Sequence, residues 1–296
     1  MRSKLILFAL CAASVPGSAL AQVTSSPLRR DALQEQAARA IPFDQLSEGS
    51  RTKLWQVVSQ PSVFRRMPAK TIECDPDLYV FLARYPEVVV NIWQLMGVTT
   101  VDMKRTGDFA FWATDGSGTT SSVELIYGTR EMHVFYAEGV YEGPLFRNKI
   151  DGRCVMVLHS SYAPGNANTK VSSQLDLFLS LDHAGAELVA KTLHPLVGRT
   201  ADNNFVDSVK FFGKVSEAAQ TNGDNLHRLA SRLERVEPVV RDEFIRLTSA
   251  ISSRYSQPQT WTGDNRRDIE STQAGLQRGP ALDSSGGAIS RTQLRR

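Results

Sequence analysis

The side chains able to do chemistry are scattered along this chain rather than gathered into motifs. His133 and His159 fall in segments of alternating polarity, His183 just after one, and His194 directly before Pro195. No two of them stand at an H-x-H, H-x-x-x-H or H-E-x-x-H spacing. The sequence therefore predicts no metal site, because nothing presents two ligands on one face. Ser160 and Ser161 follow His159 but lack the flanking glycines of a nucleophile elbow. Asp115-Gly116-Ser117-Gly118 reads as a turn, since no lysine follows and no helix opens there to cradle a phosphate. Glu124, Glu138, Glu142 and Asp176 lie in the alternating region. Two of them facing inward could exchange protons with a substrate; facing outward they form a solvated surface. No catalytic residue and no cofactor are expected. Cys74 and Cys154 could close one disulfide in an oxidising compartment or remain two separate buried thiols.

The compartment is suggested by the N-terminus. Arg2 and Lys4 precede an apolar run over 5–13, and Ala19-Leu20-Ala21 makes a small-x-small site. This pattern predicts a signal peptide over 1–21, cut between Ala21 and Gln22. Cys11 does not fit a lipoprotein cut, because Leu10 occupies the position that needs a small residue. The expectation is export, to a periplasm or beyond the cell. No later run approaches the ~20 apolar residues of a span, so no transmembrane span is expected in the mature chain. The 34 Lys and Arg nearly balance 31 Asp and Glu, and losing residues 1–21 removes two of the cations. A near-neutral chain argues against nucleic acid as partner.

The elements that must position these residues change character twice. Residues 22–45 form a polar lead-in with a short helical pattern at 31–39, and 46–255 read as one α+β domain. Helical spacing governs 47–97. Asp75 and Pro76 make a helix start, and a second helix opens at Pro86 with Val89, Ile92, Trp93 and Met96 on one stripe. The β-branched Val88-Val89-Val90 leaves a strand open there. Over 98–182 the period is two, with turn residues at short intervals, predicting six to seven antiparallel strands. Val123, Leu125 and Tyr127 are expected on one face. In the last strand Leu175, Leu177, Leu179 and Leu181 face one way, and Asp176 and Ser180 the other. Helical spacing returns over 184–255, with breaks expected at His194-Pro195 and 198–204 and a cap at Asp202 or Asn203 for a long helix ending near Gln220. Two shorter amphipathic helices follow. Residues 256–296 are polar, arginine-bearing and aperiodic, which predicts a disordered tail.

Helical lead, antiparallel strands, the segment Leu181-Asp182-His183-Ala184-Gly185 and a long amphipathic helix follow one another in an order that resembles the START-like, helix-grip superfamily of polyketide cyclases and lipid-transfer proteins. The resemblance covers roughly residues 76–222. It implies a curved sheet wrapped on the long helix, an Asp-x-x-Gly turn at Asp182 and Gly185, and a cavity for a hydrophobic or amphipathic ligand between sheet and helix. Phe109, Phe111, Trp112, Tyr127, Phe135, Tyr136 and Phe178 on the strands, with Phe205 and Phe212 on the helix, are the candidate lining. The same rings could simply fill a core. The expectation is a non-catalytic, lipid-binding type of protein. Two alternatives stand beside it. One is a structural module docking an envelope partner. The other is a hydrolase or cyclase in the same cavity, using His133 or His159 with Glu124.

Overall fold

The computed structural model describes residues 27–144, 149–165, 168–181 and 186–256, with the backbone alone at 27–30, 186–199 and 256. The predicted cleavage site at Ala21 and Gln22, the turn at Asp182–Gly185 and the tail beyond 256 lie outside them. The side chain of His194 does as well.

The fold is α+β. Two helices, α1 (Pro27–Arg39) and α2 (Glu48–Val58), flank a short 3-10 turn at Phe43–Gln45 and precede two short strands, β1 (Val63–Arg66) and β2 (Lys70–Glu73). Helices α3 (Pro76–Arg84) and α4 (Pro86–Leu95) follow, then β3 (Asp102–Gly107), β4 (Ala110–Thr114), β5 (Thr119–Gly128), β6 (Met132–Tyr141), β7 (Ile150–Ala163) and β8 (Lys170–Leu181). The chain continues through α5 (Ala186–Thr221), α6 (Gly223–Ala230) and α7 (Pro238–Ser256). All eight strands form one antiparallel sheet in the order β1-β8-β7-β6-β5-β4-β3, with β2 also pairing on β8.

Strands β3 to β8 are consecutive hairpin partners, as turn-punctuated alternation requires. The Asp115–Gly118 turn joins β4 to β5. Asp115 Oδ1 accepts from the backbone N–H groups of Ser117 (2.7 Å) and Thr119 (2.9 Å). Gly118 has φ +111°, and a Cβ there would lie 2.7 Å from the Glu142 carbonyl oxygen, so no larger residue fits. The strands at 63–66 and 70–73 are additions to the expected sheet. Each is only four residues long, too short to display a period.

The sheet is buried on both faces. Its inner face packs on α5 and on α3, α4, α6 and α7. Phe111, Val123, Phe135, Ala137, Cys154 and Met156 join Leu78, Ile92, Trp93, Val215 and Phe244 there in one core. The outer face is covered by α1 and α2. Ala37, Ile41, Leu54, Val57 and Val58 pack on Val134, Tyr136, Val155, Val157 and Phe178.

Val88–Val90 belong to the helix expected from Pro86, α4, which is buried all round from Pro86 to Trp93, and tertiary burial outweighs their strand preference. Several other expectations are corrected. Helix α5 runs unbroken from Ala186, through the expected interruptions at 194–195 and 198–204. Asp202 does not cap it; its carboxylate takes a bidentate bond from Arg65 on β1. Phe109 begins no strand. It sits in the β3–β4 turn at φ +59°. A bulge between Leu125 and Tyr127 adds one residue to β5 and throws Tyr127 onto the outer face, away from Val123 and Leu125. Of the two alternatives for the cysteines the structure takes the second: Cys74 and Cys154 form no disulfide, and both thiols are free and buried. Cys74 packs with Tyr79 and Val171, whereas Cys154 lies in the inner core. Burial raises the Cys74 thiol to about 12 and pushes Cys154 up too, leaving both inert.

Candidate functional site

The densest set of functional groups lies at the corner between α3 and α4. Asp75 caps α3 by accepting from the N–H groups of Asp77 and Leu78 through Oδ1, and Pro76 occupies the first turn. The helix stops at Tyr85 (φ −120°, ψ 64°), because the residue before a proline is held out of the helical region; Pro86 then starts α4. Arg84, Tyr85 and Glu87 therefore diverge from one tight turn onto the inner face of the sheet.

Each meets a partner from a strand. Arg84 donates from Nε to His133 Nε2 (3.2 Å) and from Nη2 to the Gly128 carbonyl (3.3 Å). Arg105, on β3, donates to Glu87 Oε1 from Nε (3.1 Å) and from Nη2. Its guanidinium lies 5.0 Å from the ring centres of both Tyr85 and Phe111, a cation held between two π faces. The Phe109 ring is 5.9 Å from Tyr85. A bulky side chain at positive φ is rare, and here it directs an aromatic ring back onto this corner.

The electrostatics follow from burial. His133 is wholly buried. Burial, with the nearby positive Arg84, lowers its pKa to about 4, so the ring is neutral at pH 7. An arginine N–H can only donate, so Nε2 must accept and the single ring proton sits on Nδ1. That Nδ1 is buried and has no partner. Glu87 is also buried. Desolvation raises its pKa, and Arg105 opposes the rise through its hydrogen bond and charge without cancelling it. Glu87 Oε2, Asn91 Oδ1 one turn further along α4, and Ser121 Oγ on the inner face of β5 are likewise buried without a partner.

Other polar groups inside this layer are closed among themselves. The Tyr79 hydroxyl lies 2.9 Å from Ser160 Oγ and 2.7 Å from Ser173 Oγ. The Asp75 N–H donates to Ser216 Oγ on α5 (2.9 Å), and Asp75 Oδ2 accepts from Arg254 on α7 (2.6 Å). These tie α3 to the sheet and to the C-terminal helices and leave nothing to bind. Among the described residues, no three His, Cys, Asp or Glu side chains converge to hold a metal ion, and no helix is long and apolar enough to cross a membrane.

The chain matches no protein-family model and no curated protein. Among solved structures it is similar to a conserved protein from Geobacillus kaustophilus (13% identity, TM-score 0.35), covering 53% of this chain and 97% of that one. It is also similar to norcoclaurine synthase from Thalictrum flavum, at 12% identity and a TM-score of 0.32 over 50% of this chain and 84% of that one. Ara h 8.0201 is a third, at 9% and 0.27 over 49% and 99%. At these scores the likeness carries no argument about function.

The nine candidate aromatics divide between the faces. Phe111, Phe135, Phe205 and Phe212 are in the layer between sheet and α5. Tyr136 and Phe178 are on the outer face under the N-terminal helices, with Tyr127 packed against them. Trp112 is outward too, its ring 6.0 Å from Lys104 Nζ. Phe109 is in its turn beside Tyr85. Of the nine, a cavity between sheet and α5 could thus be lined by the first group, because strand alternation and the β5 bulge send Trp112, Tyr127, Tyr136 and Phe178 outward. The His and Glu pairing considered for hydrolysis is not assembled. His133 faces inward, whereas Glu124 faces outward to Lys53 (3.2 Å) and His159 to Asp176 (3.5 Å). Sequence reading missed Arg84, Tyr85, Glu87 and Arg105. One signal was available: Glu87 and Asn91 interrupt a run, PEVVVNIW, that is otherwise apolar on every side of the helix.

Proposed function

We propose that this protein is an exported, non-catalytic carrier of a hydrophobic or amphipathic small molecule, held between the inner face of the sheet and α5. The observation that carries the reading is the mixture of groups in that layer. The inner layer is rich in aromatic side chains, and polar atoms on His133, Glu87, Asn91 and Ser121 are buried without a partner within the protein. Native interiors satisfy such atoms or reserve them for something that does, and a few polar groups set in apolar walls is the usual composition of a ligand site. Export is supported by the leader pattern at 1–21. The strand order, with β1 beside the last strand and a long helix against the sheet, accords with the helix-grip resemblance.

Native mass spectrometry of the protein purified from its own host, before and after extraction with organic solvent, tests the carrier reading. A co-purifying apolar molecule of defined mass, lost on extraction, is the expected result. A clean apo mass, with no enhancement of an environment-sensitive dye such as anilinonaphthalene sulfonate, overturns it. N-terminal sequencing of protein recovered outside the cytoplasm should begin at Gln22; an intact Met1 there would remove export by this leader. The envelope-docking alternative gains nothing from α7. Its exposed apolar residues, Val239 (71%) and Tyr255 (44%), stand at opposite ends of the helix and form no continuous patch.

A further inference from the structure

We infer that His133 selects the ligand's head group: its Nδ1–H is a buried donor reserved for a carbonyl or carboxylate oxygen on an otherwise apolar molecule. The inference rests on the carrier reading and adds the chemical class that reading leaves open.

Three observations converge. The direction of the donor follows from Arg84, whose Nε–H occupies Nε2 and forces the proton to Nδ1. The unpartnered atom on His133 differs in kind from the others. The polar atoms around it in the same layer, on Tyr79, Ser160, Ser173 and Asp75, are all engaged. The other buried unpartnered atoms are hydroxyl, amide or carboxylate oxygens. Among the described residues His133 therefore holds the one nitrogen donor in that set. Finally, the packing beside it is apolar. His133 pairs across the sheet with Leu158, which packs with Met67, Ala83, Phe205 and Val209 from β1's end, α3 and α5. A hydrocarbon or aromatic body lying on that cluster would bring a terminal oxygen to Nδ1. Arg84, on the far side of the ring, adds positive charge that favours an anionic oxygen. A cationic head would be repelled by Arg84 and would find no acceptor on His133.

Four probes of one shape separate the possibilities: n-butylbenzene, 4-phenyl-2-butanone, 4-phenylbutanoate and 4-phenylbutylamine, each titrated into the full-length mature protein against a bound fluorescent dye. The ketone and the acid should bind about tenfold more tightly than butylbenzene, the gain of one buried hydrogen bond, and the amine more weakly than either. His133→Phe should keep butylbenzene binding and abolish the preference. In the wild-type protein, the Nδ1–H resonance of His133 should shift downfield with the acid and not with butylbenzene; this readout needs no variant to fold. Equal affinity for butylbenzene and the acid, a preference that survives His133→Phe, or an unmoved Nδ1–H resonance at saturation overturns the assignment while leaving the carrier reading standing. Failure of all four probes to bind overturns both.

Discussion

The two faces of this sheet are built from the same strands with the same alternation, yet each buries one titratable strand side chain, Asp176 or His133, with an opposite outcome. On the outer face Asp176 is wholly buried and fully engaged. Arg66 donates to both its carboxylate oxygens (2.7 and 2.8 Å), His159 approaches at 3.5 Å, and Arg66 reaches on to Gln36 of α1 (2.9 Å). Burial alone would raise the Asp176 pKa, but the Arg66 and His159 hydrogen bonds and charges outweigh it and hold the group below its ordinary value. On the inner face His133 is just as buried and keeps a donor unpaired. The outer network docks the N-terminal helices, whereas the Nδ1–H of His133 docks nothing within the protein. Position in the sheet does not decide whether a buried polar group is structural; whether its hydrogen bonds are closed does.

The comparison breaks first at its apolar centre. Phe178 is wholly buried among Phe64, Val155 and α2, and Phe178→Ala should cost about 3–5 kcal/mol in denaturant unfolding while leaving the probe preferences unaltered. A ligand effect as large as that of Phe205→Ala would mean the faces are not separate in function. Next comes Asp176→Ala, which strands Arg66 under α1 and should cost about 3 kcal/mol. Replacing Asp176 and Arg66 together with Leu and Met should restore much of the loss, as a double-mutant cycle would read.

Acid separates the two faces without mutation. His133 has a folded pKa of about 4 against roughly 6.5 unfolded. Between those values the unfolded chain binds more protons, so stability falls as pH falls from 6.5 toward 4, by up to about 3 kcal/mol. Asp176, with its folded pKa depressed, contributes stability above the unfolded carboxylate value that is lost only as pH drops further. Urea midpoints from pH 7 to 3 should thus show two stages, and His133→Phe should flatten the first alone. The smallest effect concerns the thiols. Reductant should leave the melting temperature unchanged, and Cys74 and Cys154 should react with a thiol reagent only on unfolding; protection of both after denaturation would restore the disulfide.

Much of the fold was legible because its signals are local. The Asp75–Pro76 helix start, the Asp115–Gly118 turn and the alternation of β6 to β8 each rest on a few adjacent residues. The candidate site was far less so. Arg84, Glu87 and Arg105 carry no motif; they meet only because Pro86 turns the chain and β3 lies at the sheet edge beside α4. His133 was visible as a strand histidine, but its tautomer and its missing partner depend on an arginine 49 residues away in sequence. The bulge at β5, which turned Tyr127 outward, leaves no mark in the polarity pattern, since Ile126 and Tyr127 are both apolar enough for either face.

Sequence alone determined the class, the strand succession, the long helix toward the C-terminus and the expectation of a leader, since each depends on periodicity, capping and turn chemistry within a short window. Tertiary structure alone decided that both sheet faces are covered, that the cysteines stay apart, and that one buried histidine is left with a proton to give, because burial and hydrogen-bond closure are properties of groups brought together from distant parts of the chain.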